Sequence, residues 1–239
     1  MPGDELAQSL GLSTWISEAE GIGGLLKVRV EDFRVEEVAK TPALDQKGRF
    51  TVARVTLTDW ETNRFVSRLA RELSISRKRI FFSGTKDKRA VTTQLFVIDA
   101  PVHKVDLVEL KDVDIEVLGR SHQKLRLGDH ECNRFTIVVR GCADSDGSPM
   151  SGEEAVEQVD SIIAGLEERL GEARFPNWVG PQRFGSTRPV TAEVGRHVLE
   201  GDFQGAVDTY LGMPGKRETE EVSLFRECWR KQRSVEAAL

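Results

Sequence analysis

The sequence predicts an α+β fold organised around a mixed, largely antiparallel sheet. Three observations carry that prediction. Several segments alternate polar and apolar residues with the two-residue period of a half-buried strand, most cleanly 49-RFTVARVTLT-58 and 133-NRFTIVVRG-141. Helical patterns fall between the strands at irregular intervals, without the βαβ spacing that would build a parallel sheet. Composition then shifts after Gly141, from strand-rich sequence to a loop and an acidic helix. At 239 residues the chain suits one large domain, or one domain and part of another.

Taken in order, 25-LLKVRV-30 alternates and leads through Glu31 and Asp32 into 33-FRVEEV-38, which predicts two strands joined by a short turn. The β-branched run 49–58 predicts a strong strand. A helix is expected from about Thr62, with Phe65, Val66, Leu69, Ala70 and Leu73 on its buried face and Arg64, Arg68 and Arg71 facing solvent. Short strands follow at 79-RIFFSG-84 and 94-QLFVID-99, and 133–141 is expected at the centre of the sheet. After the loop 142-CADSDGSPMSGEE-154, a helix runs to about Leu170 with Val156, Val159, Ile162, Ile163 and Leu166 as its apolar stripe. Further helices are predicted at 191–200, 203–211 and 217–231.

Composition limits the function classes. No apolar run approaches the ~18 residues of a membrane span, and the acidic start MPGDELAQSL lacks a basic-then-apolar signal, so a cytoplasmic protein is expected. Cys132, Cys142 and Cys228 form neither a CxxC pair nor a Cys/His ligand set, so no metal site and no disulfide framework is expected. The net charge of −5 argues against a nucleic-acid partner, but its distribution argues for one. From Arg64 to Arg89, nine Lys and Arg face two acids, a local net of +7; from Asp144 to Glu172, nine acids face Arg169 alone, a local net of −8. A polyanion is steered by the local field rather than by the total.

The common catalytic signatures are absent. No GxxxxGK[ST] occurs, since Gly215-Lys216 is followed by Arg217, and without it the GTKD string at 84–87 gives little support to a nucleotide switch. There is no GxSxG and no HExxH, and the four histidines are scattered. What remains is 81-FFSGTKDKRAVTTQ-94, where one carboxylate, Asp87, stands among Lys86, Lys88 and Arg89. Nearby positive charge keeps such an acid ionised. It is then either a structural ion pair in a turn or a nucleophile for an electrophilic carbon.

That stretch resembles the signature of the TruD family of tRNA pseudouridine synthases. Three more segments resemble the family in order and approximate spacing: 24-GLLKVRVEDFRVEE-37, 120-RSHQKLRLGDHECNRFTIVVRG-141 and 175-FPNWVGPQRFG-185. The resemblance implies that Asp87 is the nucleophile and that Lys27 pairs with it. It implies a base site at Phe33, Asn133 and Phe135. The last two lie two apart on a strand and so share a face, an amide suiting the imide edge of uracil and a ring able to stack on it. Arg68, Arg71, Lys86, Lys88, Arg89, His122, Lys124, Arg126 and Arg183 are expected along the RNA backbone, while Thr92, Thr93 and Gln94 are expected to brace the catalytic loop.

The implied fold is the pseudouridine synthase α+β domain with an inserted second domain, divided here into residues 1–175 and 176–239. The implied reaction is isomerisation of uridine 13 of tRNA to pseudouridine, with no cofactor and no metal. The alternative is a homologue or fragment that binds tRNA without turnover. Nothing after Gly185 reads as the strands that finish the family's sheet with a further aromatic. The chain is therefore expected to lack that part and, alone, to bind tRNA weakly and to turn over poorly or not at all.

Overall fold

The computed structural model describes residues 8, 11, 16, 19–172, 174, 180–185, 188–215 and 218–233. Two compact units emerge, Ile22–Ala155 and a second formed by Met1–Gly21 with Val156–Leu239.

The first unit is a mixed sheet carrying one long helix. Its strands are β1 (Gly23–Leu25), β2 (Phe33–Val38), β3 (Phe50–Thr58), β4 (Ile80–Phe82), β5 (Val91–Ile98), β6 (Val113–Ser121), β7 (Cys132–Ile137) and β8 (Arg140–Cys142). Six of them form one sheet in the order β6-β3-β5-β2-β7, with β4 also on β5; β1 and β8 make a separate two-stranded ribbon. Among the described strands only β2 and β5 pair in parallel. The sheet is thus mixed and largely antiparallel, as the irregular spacing of strands and helices predicts.

Alternation divides the sheet into two faces. On one, Ala53, Val55, Leu57, Phe96 and Ile98 pack beneath helix α1 (Thr62–Glu72), whose Phe65, Val66, Leu69 and Ala70 repeat at helical spacing and are buried. Glu61 caps α1 by accepting from the N–H groups of Asn63 and Arg64. A short helix α2 (Val102–Asp106), not foreseen in the sequence, follows β5. On the opposite face, Phe50, Val52, Leu95 and Val97 cluster around Leu125, which belongs to the long connection from β6 to β7.

Three expectations need correction. The segment 25–30 is not a strand: β1 ends at Leu25, Lys27 turns into the left-handed region at φ 57°, and a 3₁₀ turn covers Val30–Asp32. Residues 133–141 are not one central strand. β7 is the sheet's end strand in the path and stops at Ile137; after Val138 and Val139 the chain enters β8, whose middle residue Gly141 sits at φ 59°. The alternation of β7 marks no buried face, since Phe135 and Ile137 are both exposed. In α3 (Gly152–Leu170), Val159, Ile162 and Leu166 are half-buried, but Val156 and Ile163 are exposed. At ~100° per residue those two sit on the margin of the stripe.

The second unit contains α4 (Thr191–Glu200), α5 (Phe203–Gly212) and α6 (Glu220–Gln232). Gly201, at φ 76°, ends α4; Asp202 caps α5 and Thr219 caps α6. Arg226 of α6 ion-pairs with Glu218 at 2.7 Å and donates to the Leu211 carbonyl, tying the last two helices together. No described helix is long and apolar enough to cross a membrane.

Candidate active site

Asp87 lies in the connection between β4 and β5, and the sheet shapes that connection. β5 changes partner along its length: Val91–Thr93 pair with β2, and Phe96–Ile98 with β4. The loop between these strands rises from the gap and folds over the face carrying Phe33 and Val35, where Ala90 is fully buried against both. The Lys86 N–H donates to the hydroxyl of Thr62, the first residue of α1, which holds the loop at the helix N-terminus.

Lys27 Nζ donates to Asp87 Oδ1 at 3.0 Å, joining residues 60 apart in sequence. The side chains are 29% and 48% exposed, so the pair is open to solvent. The left-handed backbone at Lys27 directs the side chain off the β1–β2 connection. The same ammonium lies 4.0 Å from the centroid of the Phe33 ring, a cation–π contact. Phe33 and Phe135 meet edge to face at 5.9 Å. Phe33 is 9% exposed and Phe135 53%, so one ring forms the floor and the other stands free.

Asn133 sits two residues before Phe135 on the same face, opposite Glu37 in the β2–β7 register. Its Oδ1 is buried and has no hydrogen-bond partner. The structure therefore brings Lys27, Phe33, Asp87, Asn133 and Phe135 to one end of the sheet. Gln94 also fits its expected place, its Nε2 donating to the Gly84 carbonyl at 3.0 Å. Thr93 instead meets the Thr56 hydroxyl at 2.9 Å, and Thr92 is buried with its hydroxyl unpartnered.

The expected backbone contacts divide. Arg68 and Arg71 are exposed on α1 beside Trp60, Arg64 and Lys111, around a groove of about 540 Å³. Lys88 is exposed. Lys86 cannot present its charge to phosphate: the side chain is 5% exposed and paired at 2.8 Å with Glu37, which is fully buried. Arg89 is exposed but already engaged, donating through Nε to the Lys27 carbonyl and through Nη2 to that of Val28, both at 2.7 Å.

His122, Lys124 and Arg126 line a groove of about 800 Å³ over Phe50 and Phe81. The strand register puts Phe50, Val52 and Leu95 on the face opposite Val35, so these three are not gathered at Asp87. Arg183 is exposed in the turn Pro181–Phe184 of the second unit, and residues 175–179 of its motif lie outside those described.

Glu37 was not foreseen as part of the site, although its signal is in the sequence. Two residues beyond Val35 on a period-2 strand, it must point inward, and a buried carboxylate requires a cation. Among the described residues no group of His, Cys, Asp and Glu could hold a metal ion.

The mixed sheet thus carries a lysine-paired carboxylate on the loop at its β2–β7 end. A family model described as tRNA pseudouridine synthase D (TruD) matches residues 9–239. A "Probable tRNA pseudouridine synthase D" of Methanosarcina acetivorans is 37% identical over 236 residues, 98% of this chain and 51% of that protein. One from Archaeoglobus fulgidus is 37% identical over 235 residues, 98% of this chain and 53% of that protein. A crystal structure of the same family name from Methanosarcina mazei matches with a TM-score of 0.78 and 34% identity, covering 97% of this chain and 51% of that one. The chain belongs to the TruD family. It spans about half the length of the curated relatives it matches.

Proposed function

We propose that the chain carries the nucleophile of a tRNA pseudouridine synthase and isomerises uridine 13, with Asp87 as the attacking carboxylate. The observation that carries this reading is the Lys27–Asp87 pair at 3.0 Å, open to solvent and bordered by the Phe33 and Phe135 rings. An ionised carboxylate beside a fixed ammonium is a competent nucleophile toward carbon. Asp87 adds to ribose C1′ or to uracil C6; the N1–C1′ bond breaks, the base turns, C5 bonds to C1′, and the bond between Asp87 and carbon breaks to return the free carboxylate. The C5 proton leaves and N1 gains one, so atoms and electrons balance within the nucleotide.

The target base must leave its stack to reach Asp87. Phe135, half-exposed, is placed to stack on it, and the Asn133 amide, whose Oδ1 is buried without a partner, is the group proposed to meet the imide edge of uracil once the side chain turns outward. Arg68, Arg71 and Lys88 are exposed cations that would meet phosphates, and His122, Lys124, Arg126 and Arg183, also exposed, stay candidates for the same role. In the same reading, residues from 176 onward begin the family's inserted domain.

The test is incubation of unmodified tRNA with protein in excess, followed by carbodiimide–primer-extension mapping. Pseudouridine at position 13 with the native chain, and none with Asp87→Asn, is the expected result. Equal tRNA binding by both proteins with no product from either is what the binding-only alternative requires.

A further inference from the structure

Lys86 and Arg89 flank Asp87 and read in the sequence as phosphate contacts. The Lys86 charge is buried, and the Arg89 guanidinium, though exposed, is engaged by backbone carbonyls. Lys86 turns under the loop into the gap where β5 changes partner. There one oxygen of Glu37 takes the Lys86 ammonium at 2.8 Å, and the other accepts from the backbone N–H of Leu95 at 3.4 Å. One buried carboxylate thus fixes both the loop and the strand from which it returns. On the other side of Asp87, the Arg89 guanidinium forks onto the carbonyls of Lys27 and Val28 at 2.7 Å each. That clamp holds the residue whose left-handed backbone, φ 57°, aims its ammonium at Asp87.

An ion pair as buried as Lys86–Glu37 is a poor choice for stability alone. Desolvating both ions offsets most of their attraction, and apolar groups of the same size would serve as well. What an ionic pair adds is direction, and a guanidinium fork adds more of it. We propose that Glu37, acting through Lys86, and Arg89, acting through the backbone of Lys27, are positioning residues that set the Asp87 carboxylate against the Lys27 ammonium. The proposal rests on Asp87 being the reacting group.

The test compares Arg89→Ala, Glu37→Gln and the double variant Glu37→Gln/Lys86→Met. For Arg89→Ala, the single-turnover rate at saturating tRNA should fall about 100-fold, the scale of a misplaced reactive group. Affinity for tRNA and its salt dependence should stay within twofold. Methylguanidinium in solution should restore part of the rate, and methylammonium should not. For Glu37→Gln, which strands the Lys86 charge, amide exchange across 84–90 should accelerate. The double variant should regain slow exchange without regaining rate.

A lowered salt slope with an unchanged saturated rate in Arg89→Ala would make it a phosphate contact and overturn its positioning role. A double variant that recovers both exchange protection and rate would reduce the Glu37–Lys86 pair to ordinary stabilisation. If the native chain forms no pseudouridine at all, the proposed function fails first. Exchange at 26–29 in Arg89→Ala then decides the clamp: faster exchange upholds it, and unchanged exchange refutes it.

Discussion

The two ends of the basic segment 64–89 are built from the same residue types and used in opposite ways. On α1, Arg68 is half-exposed in a pair with Glu72 four residues on, at 2.7 Å, and Arg64 lies 5.5 Å from the centroid of the Trp60 ring. Such surface pairs are worth about 0.3–0.5 kcal/mol, so either guanidinium is easily recruited by a phosphate. In the loop, Lys86 is buried against Glu37 and Arg89 is forked onto two carbonyls. Sequence charge counts all of these cations alike. Reach separates them: a helix faces one side to water, whereas a loop over a sheet gap has acceptors beneath it.

The largest effect that distinguishes the two regions should come from the loop. Asp87→Asn should remove pseudouridine formation to below detection in the tRNA assay, because the amide keeps the shape but cannot attack carbon. With the side chain 48% exposed, its tRNA affinity should stay within about twofold of native. Turnover within tenfold of the native rate would remove Asp87 as nucleophile. Lys27→Met comes next. It deletes the 3.0 Å contact and the charge over Phe33 while keeping an unbranched chain. A single-turnover rate lower by about 100-fold is expected, with binding nearly unchanged. Loss of affinity instead of rate would move Lys27 to the RNA surface.

The same division explains what could be read from the sequence. Period-2 alternation located β2, which buries one face, and β3, while β5 was legible as a short apolar run because both of its faces are covered. It could not rank strands by position, so β7 looked central and is terminal in the path. β6, Val113–Ser121, pairs with β3 along nearly its whole length and was not foreseen, although 113-VDIEV-117 alternates. The resemblance brought Lys27 to Asp87 across 60 residues, which no local pattern could do. Motif matching gave no means of telling a pinned cation from an exposed one. That distinction needed Glu37 beneath Lys86 and the bare carbonyls of the Lys27 turn, both consequences of tertiary placement.

The helix end of the comparison is sharpened by charge reversal. Arg68→Glu/Arg71→Glu should weaken binding of every tRNA by a similar factor, roughly tenfold near physiological salt, because phosphate contacts carry no sequence information. The log–log salt slope should shrink by ~0.7–0.9 for each phosphate that is no longer neutralised. The single-turnover rate at saturation should be unchanged. A reversal that leaves affinity intact would take this face of α1 out of the RNA footprint.

The smallest effect concerns a third kind of cation, one that serves only the fold. Asp32 is 2% exposed and receives both Nε and Nη2 of Arg140 at 2.8 Å, together with the backbone N–H of Arg29. The Arg140 hydrogen bonds hold its carboxyl down at about 2, from an ordinary 3.8. A lowered carboxyl pKa means stability that is fully present above pH ~3.8 and is lost as pH falls through ~2. Asp32→Asn keeps the shape but leaves Arg140 without its counter-charge at the turn into β8. Its Tm should therefore lie several degrees below native from pH 7 to 5. The gap should narrow from about pH 4, be mostly gone near pH 2, where native Asp32 is half protonated, and close below that. Thermal melts of both proteins across that range read the difference directly, and other carboxylates cancel between them. Binding of tRNA at pH 7 should be unaffected at temperatures well below either melt. A Tm gap that persists at full size at pH 2 would show that the Asp32 contribution does not come from its charge.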